Sequence, residues 1–262
     1  MFQPVLVSSG IVGWQFLQRT YDQQLETFSQ SAAQKRDTDH FVEKIRSVTS
    51  AEELVSDRQL LTVALGAFGL QDDIDNRYFI QKMLEEGTTA DDALANRFTD
   101  SRYTEFSAAF GLGPGEIRGS LRSGFAEGIV DRFQANSFEI AAGAQDETMR
   151  IALYAQRTLD EVVGGSGSEA QKWFSIMGQP PLRTMFETAF GLSSSFGQAD
   201  IDLQLGVFQD RAQRSFGVSD PSEFADPEIM DRLITTYLAR SQIVNGGAGE
   251  SGASIALTLL SS

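Results

Sequence analysis

The sequence predicts an all-α protein, an irregular multi-helical array without a substantial sheet, and three observations carry the prediction. Apolar residues recur at three- and four-residue steps along most of the chain, which is the period of one helix face. Ser, Thr and Asp stand repeatedly where a helix start needs an acceptor for its free amides. The tetrapeptide Ala-Phe-Gly-Leu occurs three times, as Ala67-Phe68-Gly69-Leu70, Ala109-Phe110-Gly111-Leu112 and Ala189-Phe190-Gly191-Leu192. Each copy reads as a packing and stop signal: glycine just past the last turn takes the left-handed conformation at little cost, and the leucine after it folds back onto the helix it has left.

Taken in order, Ile11, Trp14, Leu17, Tyr21, Leu25 and Phe28 form one stripe on a helix of about five turns, fit for packing against another helix. A second helix is expected from Thr38 through Ile45. Ser50 with Glu53 has the capping-box spacing, and Asp57 stands ready to cap the next helix, Arg58 to about Phe68, whose apolar residues on all sides argue burial. After the first tetrapeptide come an acidic turn (Asp72, Asp73, Asp75) and a helix from Asn76 to Glu86 that stops at Gly87. Thr89 and Asp92 are expected to open a short helix to Phe98, and Asp100 to cap one ending at Phe110. Gly111 to Gly115 is a strong breaker cluster.

Helical pattern resumes from Glu116 through Phe133 and continues to Val162, as one long helix or two in succession, until the Gly164 to Ser168 run ends it. Then follow a short helix over Trp173–Met177, a break at Gln179-Pro180-Pro181, and an apolar helix over Leu182–Phe190 that ends in the third tetrapeptide. A helix over Ile201–Phe216 comes next. Asp226-Pro227 gives the final helix an N-cap with proline at its first position, and that helix is expected to end near Val244.

The same order of events occurs in both halves. Gln18-Arg19-Thr20 and Gln156-Arg157-Thr158 each stand on a long helix ahead of a tetrapeptide, and the spacings to Ala67 and Ala189 are 49 and 33 residues. This pattern implies a degenerate internal duplication. The expected organisation is an N-terminal helical half over 1–113, a C-terminal half over 114–244, and a flexible Gly-rich tail over 245–262 with an apolar tip. Ile255, Leu257, Leu259 and Leu260 in that tip are candidate partner contacts.

Of the 262 residues, 41% are apolar, enough for a sizeable core, and none is cysteine, which removes thiolate chemistry, disulfides and Cys-ligated metals. The formal net charge of −15 argues against nucleic acid as a partner, since phosphate binding needs a Lys/Arg face. No apolar run approaches the ~18 residues of a spanning helix, and no basic region precedes the apolar N-terminus. The expectation is a soluble chain with no cleavable signal peptide, cytoplasmic or flagellum-associated.

No catalytic, cofactor-binding or metal-binding set assembles from the residues. His40 is the only histidine, too few for a zinc site without cysteines. Gly111 to Gly115 follows a helix and contains Pro114, unlike a dinucleotide loop. The acidic residues Asp72, Asp73, Asp75, Asp200 and Asp202 lack the glycine and terminal Glu of a calcium loop, and capping explains Asp75 and Asp200 better.

Several spaced motifs nevertheless agree in order with one family. Ser56-Asp57-Arg58 with Leu60-Leu61, Val63-Ala64-Leu65, the first tetrapeptide, Phe79-Ile80 with Met83-Leu84-Glu85, Ala95-Asn96-Arg97-Phe98, Asp100-Ser101-Arg102-Tyr103 and Phe106 to Phe110 resemble the uncharacterised alphaproteobacterial family known as domain of unknown function twelve-seventeen. Gly13-Trp14 and Pro181-Leu182-Arg183 extend the likeness over nearly the whole chain. The resemblance implies a helical protein, often encoded among flagellar genes, with no enzymatic activity or functional residue to carry over.

The expected function is that of a non-enzymatic helical protein of the flagellar apparatus or its assembly, acting through protein contacts. The alternative is a small-molecule-binding or enzymatic protein with an acidic cleft between the halves, using residues such as Asp73, Asp75 and Asp100. A protein partner is expected in the first case. The N-terminal helix and the one before Gly164 are expected to pair, either within one chain or by exchange between chains in a homo-oligomer.

Overall fold

The computed structural model describes residues 3–193 and 195–249, with side chains through 243. Among the described residues there are twelve α-helices, several short 3-10 turns and no strand. The all-α prediction therefore holds. The residues proposed as partner contacts, Ile255, Leu257, Leu259 and Leu260, lie outside the described residues. The helices are α1 (Gly10–Ser29), α2 (Ala32–Lys44), α3 (Ala51–Ser56), α4 (Arg58–Ala67), α5 (Arg77–Glu86), α6 (Ser101–Phe110), α7 (Phe125–Gly143), α8 (Glu147–Val163), α9 (Glu169–Met177), α10 (Pro180–Phe190), α11 (Ile201–Phe216) and α12 (Pro227–Gly249).

The chain forms two compact units. One holds Arg19–Gln145 with the first residues through Val5; the other holds Leu6–Gln18 with the chain from Asp146 onward. Both differ from the expected division at 113/114. The reason lies at Gly66, where a methyl group would stand 2.6 and 2.8 Å from ring atoms of Phe133, so the missing side chain is what lets α7 lie close against α4. Asn136 on α7 also donates from Nδ2 to the Gly66 carbonyl at 2.6 Å. These contacts hold 125–143 in the first unit, past the glycine cluster that looked like a boundary.

In the first unit α4 is buried on nearly all sides, with Leu60, Leu61, Val63, Ala64 and Leu65 at 3% exposure or less. It packs against α2, α3 and α7. Aromatic rings gather at its C-terminal end, where Phe68 meets Phe106 and Phe110 at centroid distances of 5.6 and 6.4 Å. In the second unit α10 takes the central place, packed on α8, α9, α11 and α12. Its core is aromatic: Trp173 touches Phe186, Phe190, Phe208 and Phe224 at 5.7 to 6.4 Å.

Capping residues start the helices largely as read. Asp57 accepts from the amides of Gln59 and Leu60, Asp100 from Arg102, Asp200 from Asp202, and Asp226 from Glu228 and Ile229. Ser50 accepts from the Glu53 amide. Four local expectations are corrected. α2 begins at Ala32, six residues before Thr38. The stretch 116–124 holds only a 3-10 turn, Gly119–Leu121, because Ile117 and Leu121 point outward at 70% and 54% exposure and give a helix there nothing to bury. The piece ending near Phe98 is a 3-10 turn, Leu94–Arg97, with the Leu94 amide held by Glu86 rather than by a Thr89–Asp92 cap. α12 runs on to Gly249, so the residues 245–249 read as tail are helical.

Candidate functional site

The three tetrapeptides are helix stops of two kinds. After α4, Gly69 takes φ +71°, the Leu70 amide donates to Leu65 O at 2.9 Å, and the Gly69 amide to Gly66 O at 3.3 Å. After α10, Gly191 takes φ +68°, with Leu192 donating to Glu187 O at 2.9 Å and Gly191 to Thr188 O at 3.0 Å. Both are Schellman caps. After α6, Gly111 at φ +58° makes one such bond, to Ser107 O at 2.9 Å, which is the simpler left-handed cap. Phe68, Phe110 and Phe190 are all buried, as are Ala67 and Ala189. The motif's role is structural, and it positions arginines: Arg102 on α6 donates from Nη1 to Gly69 O at 2.6 Å, and Arg240 on α12 lies against Gly191.

Three acidic candidates of the first unit, Asp73, Asp75 and Asp100, are engaged by neighbouring side chains. Asp73 accepts from the Tyr103 hydroxyl at 2.6 Å and from Asn76 Nδ2 at 2.8 Å. Burial, then the bond to Asp73, push the Tyr103 phenol well above its ordinary range. Asp75 does not cap as expected: α5 starts after Asn76 without a side-chain cap, and Asp75 pairs with Arg58 at 2.9 Å on the surface. Asp100 caps α6 and also holds the Arg102 guanidinium at 2.6 Å. Asp72 sits in a 3-10 turn. No group of three such residues among the described ones is arranged to hold a metal ion.

His40 Nε2 lies 2.7 Å from Asp57 Oδ2, so the lone histidine of α2 ties onto the cap of α4. Burial raises the Asp57 carboxyl, and the bonds from His40 and the Leu60 and Gln59 amides outweigh it, leaving it below the ordinary aspartate range. Sequence reading missed two ties that close long loops. Lys172 on α9 reaches Asp220 at 2.9 Å, and the Ser222 hydroxyl and amide, followed by Lys172, draw Asp220 down to about 2. Glu116 accepts from the Thr88 amide and hydroxyl at 2.6 and 2.8 Å. A lysine and an aspartate 48 residues apart carry no local signature.

One concavity combines apolar and charged lining, and it belongs wholly to the second unit. Trp14 and Gln18 from α1, Gln156 and Asp160 from α8, and Met230, Asp231 and Ile234 from α12 enclose about 330 Å³, completed by Ala225 and Pro227. Trp14/Gln18, Gln156/Asp160 and Met230/Ile234 each stand one helical turn apart, so three helices offer one face to the same space. Trp14, Met230 and Ile234 are buried beneath it, while Asp160 and Asp231 are exposed. Gln18 and Gln156 exchange reciprocal amide bonds of 2.8 and 2.9 Å. The twin Gln-Arg-Thr tripeptides thus meet through their glutamines, within one chain.

The described residues form helices, several of them stopped by glycine caps, gathered in two units. Residues 67–230, more than half of the chain, match the model of the DUF1217 family, described as a protein of unknown function, and the chain belongs to that family. A similar solved structure is the crystal structure of protein AGR_C_984 from Agrobacterium tumefaciens, with 25% identity, a TM-score of 0.75, and coverage of 93% of this chain and 98% of that one. No curated protein matches. No helix among the described residues is long and apolar enough to cross a membrane.

Proposed function

We propose that the protein is a non-enzymatic helical scaffold that acts through protein–protein contacts, in association with the flagellar apparatus or its assembly. The flagellar part rests on the genetic company that the family resemblance implies. The contact part rests on one observation: a buried apolar floor of Trp14, Met230 and Ile234 opens between the exposed carboxylates of Asp160 and Asp231. An apolar hollow with a polar rim is the usual form of a protein contact site. The acidic-cleft alternative draws little support, because Asp73, Asp75 and Asp100 each serve a cap, a tyrosine or an arginine.

We also read the two units as degenerate repeats, each centred on an apolar helix that ends in a Schellman-capped tetrapeptide. Deleting the gene and scoring swimming and filament assembly tests the flagellar reading. Unchanged motility and normal filaments would remove it.

A further inference from the structure

We propose that the groove formed by α1, α8 and α12 receives a lysine or arginine side chain with an apolar neighbour, presented by a basic amphipathic segment of a protein partner. This rests on the protein-contact reading above and names the chemistry of that partner. The floor is apolar: Trp14 is 3% exposed, Met230 9% and Ile234 1%. The rim is anionic, and the Asp160 and Asp231 carboxylates carry no hydrogen bond or ion pair among the described residues. Long basic side chains match both features, laying an aliphatic stem on apolar surface while the cation reaches a carboxylate.

Size points the same way. About 330 Å³ stands at the low end of the roughly 300–1,000 Å³ of small-molecule sites, so it suits one or two inserted side chains better than a nucleotide cofactor. The paired amides of Gln18 and Gln156 each keep one N–H and one acceptor position beyond their mutual bonds, and these can meet a partner's backbone. A net charge of −15 favours encounter with a basic partner over an acidic one.

The test uses the full chain and synthetic peptides of equal length: an amphipathic leucine–lysine helix, an all-lysine peptide and a leucine–glutamate peptide. Trp14 and Trp173 are the only tryptophans, so binding at the groove is read from Trp14 emission, with Trp14→Phe as the control. The leucine–lysine peptide is expected to shift that emission and to bind more weakly as salt rises. Asp160→Asn with Asp231→Asn is expected to weaken it about tenfold, whereas Glu127→Gln with Asp131→Asn, which removes equal charge from the first unit, changes it less than about twofold. Circular dichroism checks that all variants stay folded.

Equal weakening by both double variants would overturn the proposal. So would equal binding by the all-lysine peptide or by spermidine, or no binding of the leucine–lysine peptide. Any of these leaves the flagellar reading standing, because that reading is judged by the deletion strain.

Discussion

The cores around α4 and α10 solve one packing problem with different materials. α4 presents aliphatic side chains on nearly every face and leaves the rings to its C-terminal end, at Phe68, Phe106 and Phe110. α10 carries its rings along its length, and Phe186 and Phe190 pack with Trp173 and Phe208 as edge-to-face and tilted pairs. Aliphatic packing at α4 permits the close approach of α7 over Gly66, while ring packing at α10 holds the helices through large side chains. The comparison teaches that the tetrapeptide fixes where a helix ends and leaves open what surrounds it.

Truncating the phenylalanine of each stop breaks this comparison most strongly. Phe190→Ala removes a side chain at 1% exposure that touches Trp173, Phe186, Phe208 and Phe216, and a loss of about 3–5 kcal/mol is expected. Phe68→Ala, at 6% exposure with fewer ring partners, is expected at the lower end, about 3 kcal/mol. Both tryptophans belong to the second unit, so urea unfolding followed by fluorescence should move for Phe190→Ala and far less for Phe68→Ala. Equal movement would show that the units do not unfold separately.

Next in size is Gly66→Ala. The added methyl would meet the Phe133 ring, and overpacking of this kind costs about 1–3 kcal/mol, read as a lower melting temperature with Trp173 fluorescence little changed.

The three stop glycines come after that. Gly69→Ala and Gly191→Ala each force alanine into a left-handed position, at about 1–2 kcal/mol, and their methyls would meet side-chain ends, Arg102 Nη1 at 3.1 Å and Arg240 Nη1 at 2.2 Å, rather than backbone. Gly111→Ala should cost more, since its methyl would meet the rigid backbone carbonyl of Ile117. Thermal melts of the three variants rank them; a smaller loss at Gly111 would contradict this account of the caps.

Acid separates the units more gently. Asp57 and Asp220 both titrate lower in the folded chain than unfolded, so each contributes stability above the ordinary aspartate value that disappears as pH falls through its folded value. For Asp220 that window runs from about 3.8 down to about 2. Asp220→Asn should flatten the acid limb of the second unit's fluorescence-detected stability over this range, and Asp57→Asn should leave that limb unaltered.

Much of the fold was legible because its signals are local. A cap and its target lie two or three residues apart, so Asp57, Asp100, Asp200 and Asp226 announced their helices, and the tetrapeptides announced three ends. Where long-range packing decides, the pattern misled. Ile117 and Leu121 stand in helical spacing with Phe125, yet they lie ahead of α7 in a looped stretch, and the glycine cluster before them yields to the α4–α7 contact as the organiser of the unit.

The candidate site was half visible. Twin Gln-Arg-Thr tripeptides marked Gln18 and Gln156 as noteworthy, and Trp14 stood on the α1 stripe. That Met230 and Ile234 lie beside them depends on how α12 meets α8 and α1, which no spacing encodes.

The most direct test of the central claim, that this scaffold serves motility through protein contacts at the groove, is swimming in a deletion strain of the host complemented at equal protein level. The account predicts that deletion abolishes swimming, that the wild-type gene restores it, and that Asp160→Asn with Asp231→Asn does not. A deletion strain that swims and builds filaments like the parent would contradict it.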